Sequence, residues 1–341
     1  MKIIFCLSYL SVPTTISIIE SSDDDFLIVT SNKTLVTFFK RLYPSEKIFL
    51  LQPIPLLSKF PVKTIRNLYF IYKYKKEVLK KFEHYQDAKV FFFSVAFCEL
   101  ESCIVKMLSE NNVIYYKPAA SIRHLTADES IQAKIGKWLR RLIYSVDFIP
   151  LLGSNLRYYG LNDTFLRETR AVDFNIDVDV GSTSLKIIDS LEEIKSSKVL
   201  ILCGETVGKS VEVSEYISQM DTIITSLVEK FGHESLAIKA HPRFPQYYSK
   251  EDTLKKIPSN IPANLIIGYF DIIIGYSSAT LTEAAKMGKK CISLLKMMQP
   301  IDINVRDHFI EYLNNNSEHS VHYPKNVTDF IALTTNMIDF K

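Results

Sequence analysis

The residues best suited to chemistry in this 341-residue chain lie in its last third. Ile238-Lys239-Ala240 reads as the end of an apolar strand, and His241-Pro242-Arg243 follows it directly. An imidazole at a strand end can donate to a phosphate oxygen, as a neutral donor or as a cation. Pro242 stops the strand and restricts the backbone of His241, and Arg243 can add a bidentate contact to the same anion. The competing reading is a histidine that caps a strand end in solvent. Further on, Asp271–Gly275 forms a second apolar strand that runs into Tyr276-Ser277-Ser278-Ala279-Thr280, hydroxyl residues that open a helix. Helix starts present N–H groups and a positive dipole end and so favour phosphate. Gly275 permits close backbone approach. The competing reading makes Ser277 or Ser278 a plain N-cap. In a parallel sheet both strand ends reach one edge of a cleft, where the two groups can hold a leaving phosphate from either side.

Carboxylates that could serve as a base are less sharply marked. Asp128 and Glu129 sit in Ala127-Asp128-Glu129-Ser130, after an expected fifth strand and before a helix; a solvated turn is the competing reading. Glu99, Glu101 and Glu205 also fall near expected strand ends. Glu205 follows Leu202-Cys203-Gly204, where Gly204 signals a tight turn or close approach to a ligand.

Short apolar runs alternating with longer helical patterns must position these groups. Lys2–Ser8, Phe26–Thr30, Lys47–Leu51, Lys89–Ala96 and Val113–Tyr116 predict strands. Pro13–Ser21, Lys33–Leu42, Val62–Tyr85 and Glu99–Asn111 predict the helices between and after them. Met1–Leu10 lacks a small-x-small cleavage site and reads as the first buried strand rather than a signal peptide. The pattern blurs from Pro118 to Ser197. Gln132–Tyr144 reads as helix, and Thr169–Ser184, rich in Asp, Asn, Gly, Ser and Thr, as loop or interdomain crossing. A second series follows. Lys198–Cys203, Ser235–Ala240, Leu265–Ile267, Asp271–Gly275 and Lys290–Leu295 predict strands, and Val213–Phe231, Ser278–Met287, Val305–Leu313 and Val327–Ile338 predict helices. The expected fold is α/β, with two Rossmann-like domains over residues 1–170 and 185–341 facing a central cleft.

Composition narrows the function. Apolar residues make up 47% and charged residues 23%, which excludes a disordered or fibrous chain. Only 10 Gly and 13 Pro argue against turn-dense all-β folds and against a Gly-rich dinucleotide fingerprint. A net charge of +3 is too small to imply nucleic-acid binding. The five cysteines, Cys6, Cys98, Cys103, Cys203 and Cys291, are scattered without a C-x-x-C pair. They read as buried, reduced cytosolic thiols rather than metal ligands or a disulfide framework. No apolar run approaches the roughly 18 residues needed to span a membrane. Two basic stretches, Lys134–Ile143 around Trp138 and Tyr69–Phe82 with Lys73, Lys75, Lys76, Lys80 and Lys81, can lie on an anionic membrane surface. Alternatively their apolar sides pack on the sheet.

His241-Pro242 and Ser277-Ser278 resemble the His-Pro and Ser-Ser motifs of bacterial sialyltransferases, the GT-B-fold enzymes that build sialylated lipooligosaccharide and capsular polysialic acid. The runs Ile261-Pro262-Ala263-Asn264 and Ile273–Leu281 are similar in rhythm. The resemblance implies an inverting transfer of sialic acid, or a related nonulosonic acid, from a CMP donor to a hydroxyl of a surface glycan or glycolipid. It implies no essential metal and no cofactor besides the donor. His241 would assist departure of the CMP phosphate, which the serines bind. Pro242, Arg243, Gly204 and Gly275 would line the donor site. Glu283 matches a GT-B glutamate that binds the nucleotide ribose, or else is an exposed helical Glu before the C-cap Gly288. The family's acidic-acidic-Gly motif, which supplies the base, has no counterpart here. Asp128-Glu129 followed by Ser130 is the nearest substitute, with Glu205 next. The implied location is the cytoplasm, peripheral on the inner face of the membrane. Rival readings are a UDP-sugar GT-B enzyme, a glycerol-phosphate transferase, or a GT-B-like scaffold without a base.

Overall fold

The computed structural model describes residues 1–52, 62–93, 99–117, 163–178, 181–191, 194–204, 210–241, 254–318 and 320–337. The chain divides into two compact units, Met1–Asp179 and Val180–Lys341.

In the first unit the described elements are β1 (Lys2–Phe5), α1 (Val12–Glu20), β2 (Phe26–Thr30), α2 (Lys33–Phe39), β3 (Ile48–Leu50) and α3 (Val62–Phe82). They continue with β4 (Lys89–Phe92), α4 (Glu99–Leu108), β5 (Val113–Tyr116), α5 (Asp163–Glu168) and β6 (Val172–Asp173). The strands form one parallel sheet in the order β3-β2-β1-β4-β5-β6. A parallel sheet needs cover on both faces, so its central strands are apolar throughout. Ile3, Phe5, Val90 and Phe92 pack in one cluster with Ile71, Val78 and Phe82 of α3 and Leu100, Ile104 and Leu108 of α4. Phe5 meets Phe92 edge to face at 5.7 Å. Ile4 and Ile28, of opposite parity, are just as buried.

Polar side chains close the helix ends. Asn32 Oδ1 accepts from the N–H groups of Thr34 at 3.0 Å and Leu35 at 3.4 Å, capping α2. The buried ammonium of Lys2, at the start of β1, donates to the Ile18 carbonyl in the last turn of α1. A cation there offsets the negative end of the helix and ties it to the strand.

The second unit runs α6 (Gly181–Asp189), β7 (Val199–Leu202), α7 (Val213–Phe231), β8 (Leu236–Lys239), β9 (Lys255–Ile257) and β10 (Ile272–Gly275). It continues with α8 (Thr280–Lys286), β11 (Lys290–Ser293), α9 (Ile303–Ser317), β12 (Val321–His322) and α10 (Val327–Met337). Its parallel sheet has the order β12-β11-β10-β7-β8-β9. Counted within each unit, both sheets follow 3-2-1-4-5-6, the order of the Rossmann fold. The chain therefore has the expected α/β, two-domain, GT-B-like class. Helix α7 shows why such a pattern folds this way: Tyr216, Met220, Ile223, Ile224 and Leu227 make one buried stripe, and Gly232 ends the helix at φ 73°.

Three differences from the sequence expectation have physical causes. Leu265–Ile267 forms no strand but parts of two 3-10 turns, Ala263–Leu265 and Ile267–Tyr269. Strand β10 already has β7 and β11 as neighbours, so this apolar run has no edge there to join. Thr169–Ser184 is not all loop, because it holds the two-residue β6 and the start of α6. Strands β6, β9 and β12 are short and carry polar residues, as sheet edges favour, so they lack the apolar signature of a central strand. The helix expected at Gln132–Tyr144 lies outside the described residues.

Replacing Asn32 by Ala removes the cap of α2. Urea unfolding should show a loss of about 1 kcal/mol; an unchanged midpoint would mean that the cap contributes nothing.

Candidate functional site

Parallel strands all end on one side, so every connection that leaves a strand of the second sheet starts from the same edge. The register sets Leu202 opposite both Lys239 and Gly275, and Gly275 opposite Ser293. Ala240-His241 after β8, Cys203-Gly204 after β7 and Tyr276-Ser277-Ser278 after β10 therefore stand in one row. Strands β7 and β10 are the first and fourth of this unit. Between such strands the order reverses, and sheets of this kind bind ligands in the crevice outside their carboxyl ends. His241 is half-buried, two strand spacings or about 10 Å between axes from the Ser277 strand. Ser277 is buried and Ser278 half-buried. The edge thus gathers His241, Gly204, Gly275, Ser277 and Ser278. Asp128, Glu129, Glu205, Pro242 and Arg243 lie outside the described residues.

Buried polar side chains fix this edge. Ser293 Oγ donates to the Tyr276 carbonyl at 2.8 Å, joining the ends of β11 and β10. Tyr216 of α7 and Tyr276 are fully buried and meet edge to face at 6.0 Å. The Gly204 N–H donates to Tyr216 Oη at 3.1 Å, and Tyr276 Oη donates to the Ser210 carbonyl at 3.5 Å. The two rings hold the described ends of the connection that leaves β7. Sequence patterning assigns Tyr216 only to the apolar stripe of a helix and gives no sign of this frame.

Ser278 Oγ accepts from the Thr280 N–H at 3.3 Å and its carbonyl from Leu281 at 3.0 Å, so Ser278 closes the turn that leads through the N-cap Ala279 into the seven-residue α8. What approaches Gly275 is protein: a Cβ there would stand 3.4 Å from Leu202 Cβ and 3.7 Å from Leu281 Cδ1. Glu283 is half-buried rather than exposed. Burial raises its carboxyl pKa, against a hydrogen bond from Asn264 and the charge of Lys286. Burial also pushes the Tyr312 hydroxyl of α9 up to about 12, with the Glu283 charge adding to it.

Lys239 was not singled out by the sequence, although it is a charge within an otherwise apolar strand. It is 3% exposed, and its ammonium donates to the carbonyls of Ala240 and Ser259 at 3.2 Å each. Burial pulls its pKa down to about 8, with Cys203 acting in the opposite sense. Cys203 and Cys291 are themselves pushed up to about 12, and Cys6 to about 11, by burial. These thiols stay protonated and are poor nucleophiles. Cys103 is also buried and in no disulfide, and Cys98 lies outside the described residues.

In the first unit, Glu101 is 5% exposed as the third residue of α4, just past the carboxyl end of β4. Burial raises the nearby Tyr74 hydroxyl, whose bond from the Gln52 N–H at 2.6 Å opposes this while the Glu101 charge adds to it. A concavity of about 530 Å³ opens at the other edge of that sheet, lined by Asp87, Lys89, Glu110, Asn112 and Arg170 among others. It lies at the amino ends of β4 and β5, away from the edge where such sheets bind ligands. Among the described residues, no three of His, Cys, Asp and Glu stand close enough to hold a metal ion, and no helix is long and apolar enough to cross a membrane.

No protein-family model and no curated protein matches the sequence. Similar solved structures include a UDP-GlcNAc 2-epimerase from Methanocaldococcus jannaschii, 14% identical over 100% of this chain and 94% of that one, with a TM-score of 0.49. Another is the UDP-GlcNAc 2-epimerase from Neisseria meningitidis bound to UDP-GlcNAc, at 11% identity, 99% of each chain and a TM-score of 0.42. The E. coli heptosyltransferase WaaC with ADP is similar at 11% identity, 99% of this chain, 100% of that one and a TM-score of 0.45. Likeness at this level identifies no substrate and no residue of this chain.

Two outcomes follow from the buried frame. Tyr216→Phe leaves the Gly204 N–H without its acceptor in a buried place and should lower unfolding stability by about 1–3 kcal/mol; an unchanged stability would mean that water replaces the hydroxyl. Lys239 has a folded pKa of about 8, below the roughly 10.4 of an unfolded lysine. Between these values the unfolded chain binds the extra proton, so this group makes stability rise with pH and lowers it again as pH falls through about 8. Lys239→Met should abolish that rise. A wild-type minus variant difference that stays constant across the window would contradict it.

Proposed function

We propose that the chain is a nucleotide-sugar-dependent glycosyltransferase whose donor binds at the switch point of the second sheet, and that this donor is a CMP-activated sialic acid or related nonulosonic acid. The observation that carries the reading is the strand order β8-β7-β10, in which the strands that His241 and Ser277-Ser278 follow are the two neighbours of β7. The resemblance of both motifs to those of bacterial sialyltransferases supplies the donor class.

The chemistry asks little of covalent catalysis. The reacting carbon of such a donor bears a carboxylate, and its CMP ester leaves readily. The acceptor oxygen forms a bond to that carbon as the carbon–phosphate ester bond breaks, with inversion. The enzyme must hold the hydroxyl in line, take its proton and neutralise the departing phosphate. His241 gives the phosphate a proton, while Ser277, Ser278 and Arg243 bind it. Glu283 holds a ribose hydroxyl. The base is Asp128, Glu129 or Glu205, with Glu101 as the buried carboxylate at the matching edge of the first sheet. The acceptor is a hydroxyl of a bacterial surface glycan or glycolipid, taken from the cytoplasmic side. Imidazole, guanidinium and hydroxyls can neutralise the phosphate without a divalent ion.

His241→Ala should lower CMP release from the donor by about 10²- to 10⁴-fold. Ser277→Ala should chiefly weaken donor binding. A thermal-shift panel of CMP, CDP, UDP, ADP and GDP checks the base: stabilisation by CMP supports the reading. Stabilisation by UDP or ADP alone assigns another donor. No saturable CMP binding together with no CMP release ends it.

A further inference from the structure

Helix α3 carries Lys73, Lys76 and Lys80 and three of its aromatics on the side away from the core. Ile71, Val78 and Phe82 face the core cluster of the first unit. Tyr69, Phe70 and Tyr72 are 69%, 49% and 59% exposed, among the most open large apolar side chains described. The packing of α3 therefore does not use them, although an amphipathic helix with only a core to satisfy would keep aromatics inward. Seven Lys or Arg and a single carboxylate, Glu77, lie between Val62 and Phe82. That carboxylate is itself exposed and only 3.9 Å from Lys73, an ion pair of little strength in water. At about 100° per residue, Tyr69, Lys73, Lys76 and Lys80 share the outer face, with Tyr72 and Phe70 at its margins.

We propose that the outer face of α3 docks the first unit on an anionic lipid surface, the helix lying in the plane of the headgroups. Tyr69, Phe70 and Tyr72 enter the boundary between headgroups and acyl chains, and Lys73, Lys76 and Lys80 face acidic headgroups. Charge complementarity names the occupant. Lysines draw the helix to acidic lipid and can extend their stems along apolar surface. Tyrosine, with an apolar ring and a polar tip, suits headgroup depth. The helix is too charged to enter the hydrocarbon, so it lies on the surface rather than spanning it. Nucleic acid fits less well, because a net charge of +3 gives no broad positive field to follow a phosphate backbone. This surface is separate from the proposed donor site and stands or falls without it.

The test is co-sedimentation of the full-length chain with vesicles of phosphatidylcholine alone and of phosphatidylcholine mixed with phosphatidylglycerol. Binding should occur on the mixed vesicles and weaken as salt is raised. Replacing Lys73, Lys76 and Lys80 together by Gln should lower partitioning by about fivefold per lysine, about a hundredfold in all. Replacing Tyr69, Phe70 and Tyr72 together by Ser should lower it by about tenfold or more. The two variants are independent, so if one fails to fold the other decides. No binding to the mixed vesicles, equal binding to neutral ones, or binding that survives either folded variant overturns the proposal. Tighter binding to single-stranded RNA than to the mixed vesicles would assign the face to nucleic acid and overturn it equally.

Discussion

One register holds the second unit's edge together: Leu202 lies opposite Lys239 on one side and Gly275 on the other. Strand β7 is buried at every residue. A shift of one position would turn each of its side chains to the opposite face. Covered on both sides, the strand has no such freedom. The row of groups that follows β8, β7 and β10 inherits its alignment from that constraint. Alignment at this edge is thus a consequence of packing several residues away.

Polar groups placed at the same edge convert alignment into rigidity. Burying a hydroxyl or an ammonium is unfavourable unless it finds partners. Ser293, Tyr216 and Lys239 each find one in backbone of a neighbouring connection. A side chain so held fixes the turn it bonds to. The first unit is built otherwise at its first crossover. Ser11 Oγ donates to the Ser8 carbonyl and Thr15 Oγ1 to the Ser11 carbonyl, both at 2.8 Å, so these hydroxyls serve the turn and the start of α1.

Much of this was legible from residues alone, and the exceptions share a cause. Strands β2 and β5 and helix α7 match their sequence-read bounds residue for residue, because an unbroken apolar run or a clean helical stripe has one low-energy outcome. The two strand-end motifs were visible because proline, glycine and serine mark where strands stop. Edge strands such as Val321–His322 were not, since pairing on one side needs no apolar signature. Leu265–Ile267 carried that signature and still formed turns, because β10 had no side left to pair. The frame of Tyr216, Tyr276 and Ser293 was invisible for a similar reason: its meaning lies in which connections the sheet order makes neighbours. The exposed aromatics of α3 went the other way, since periodicity alone left open whether they packed on the sheet.

The central claim is that His241 and Ser277 act on one phosphate. A double-mutant cycle on CMP affinity, measured by calorimetry for the wild type, His241→Ala, Ser277→Ala and the pair, addresses it most directly. Groups that grip the same anion should be coupled, with an interaction energy of about 0.5 kcal/mol or more. Losses that simply add, or an affinity for CMP that neither substitution changes, would contradict the account.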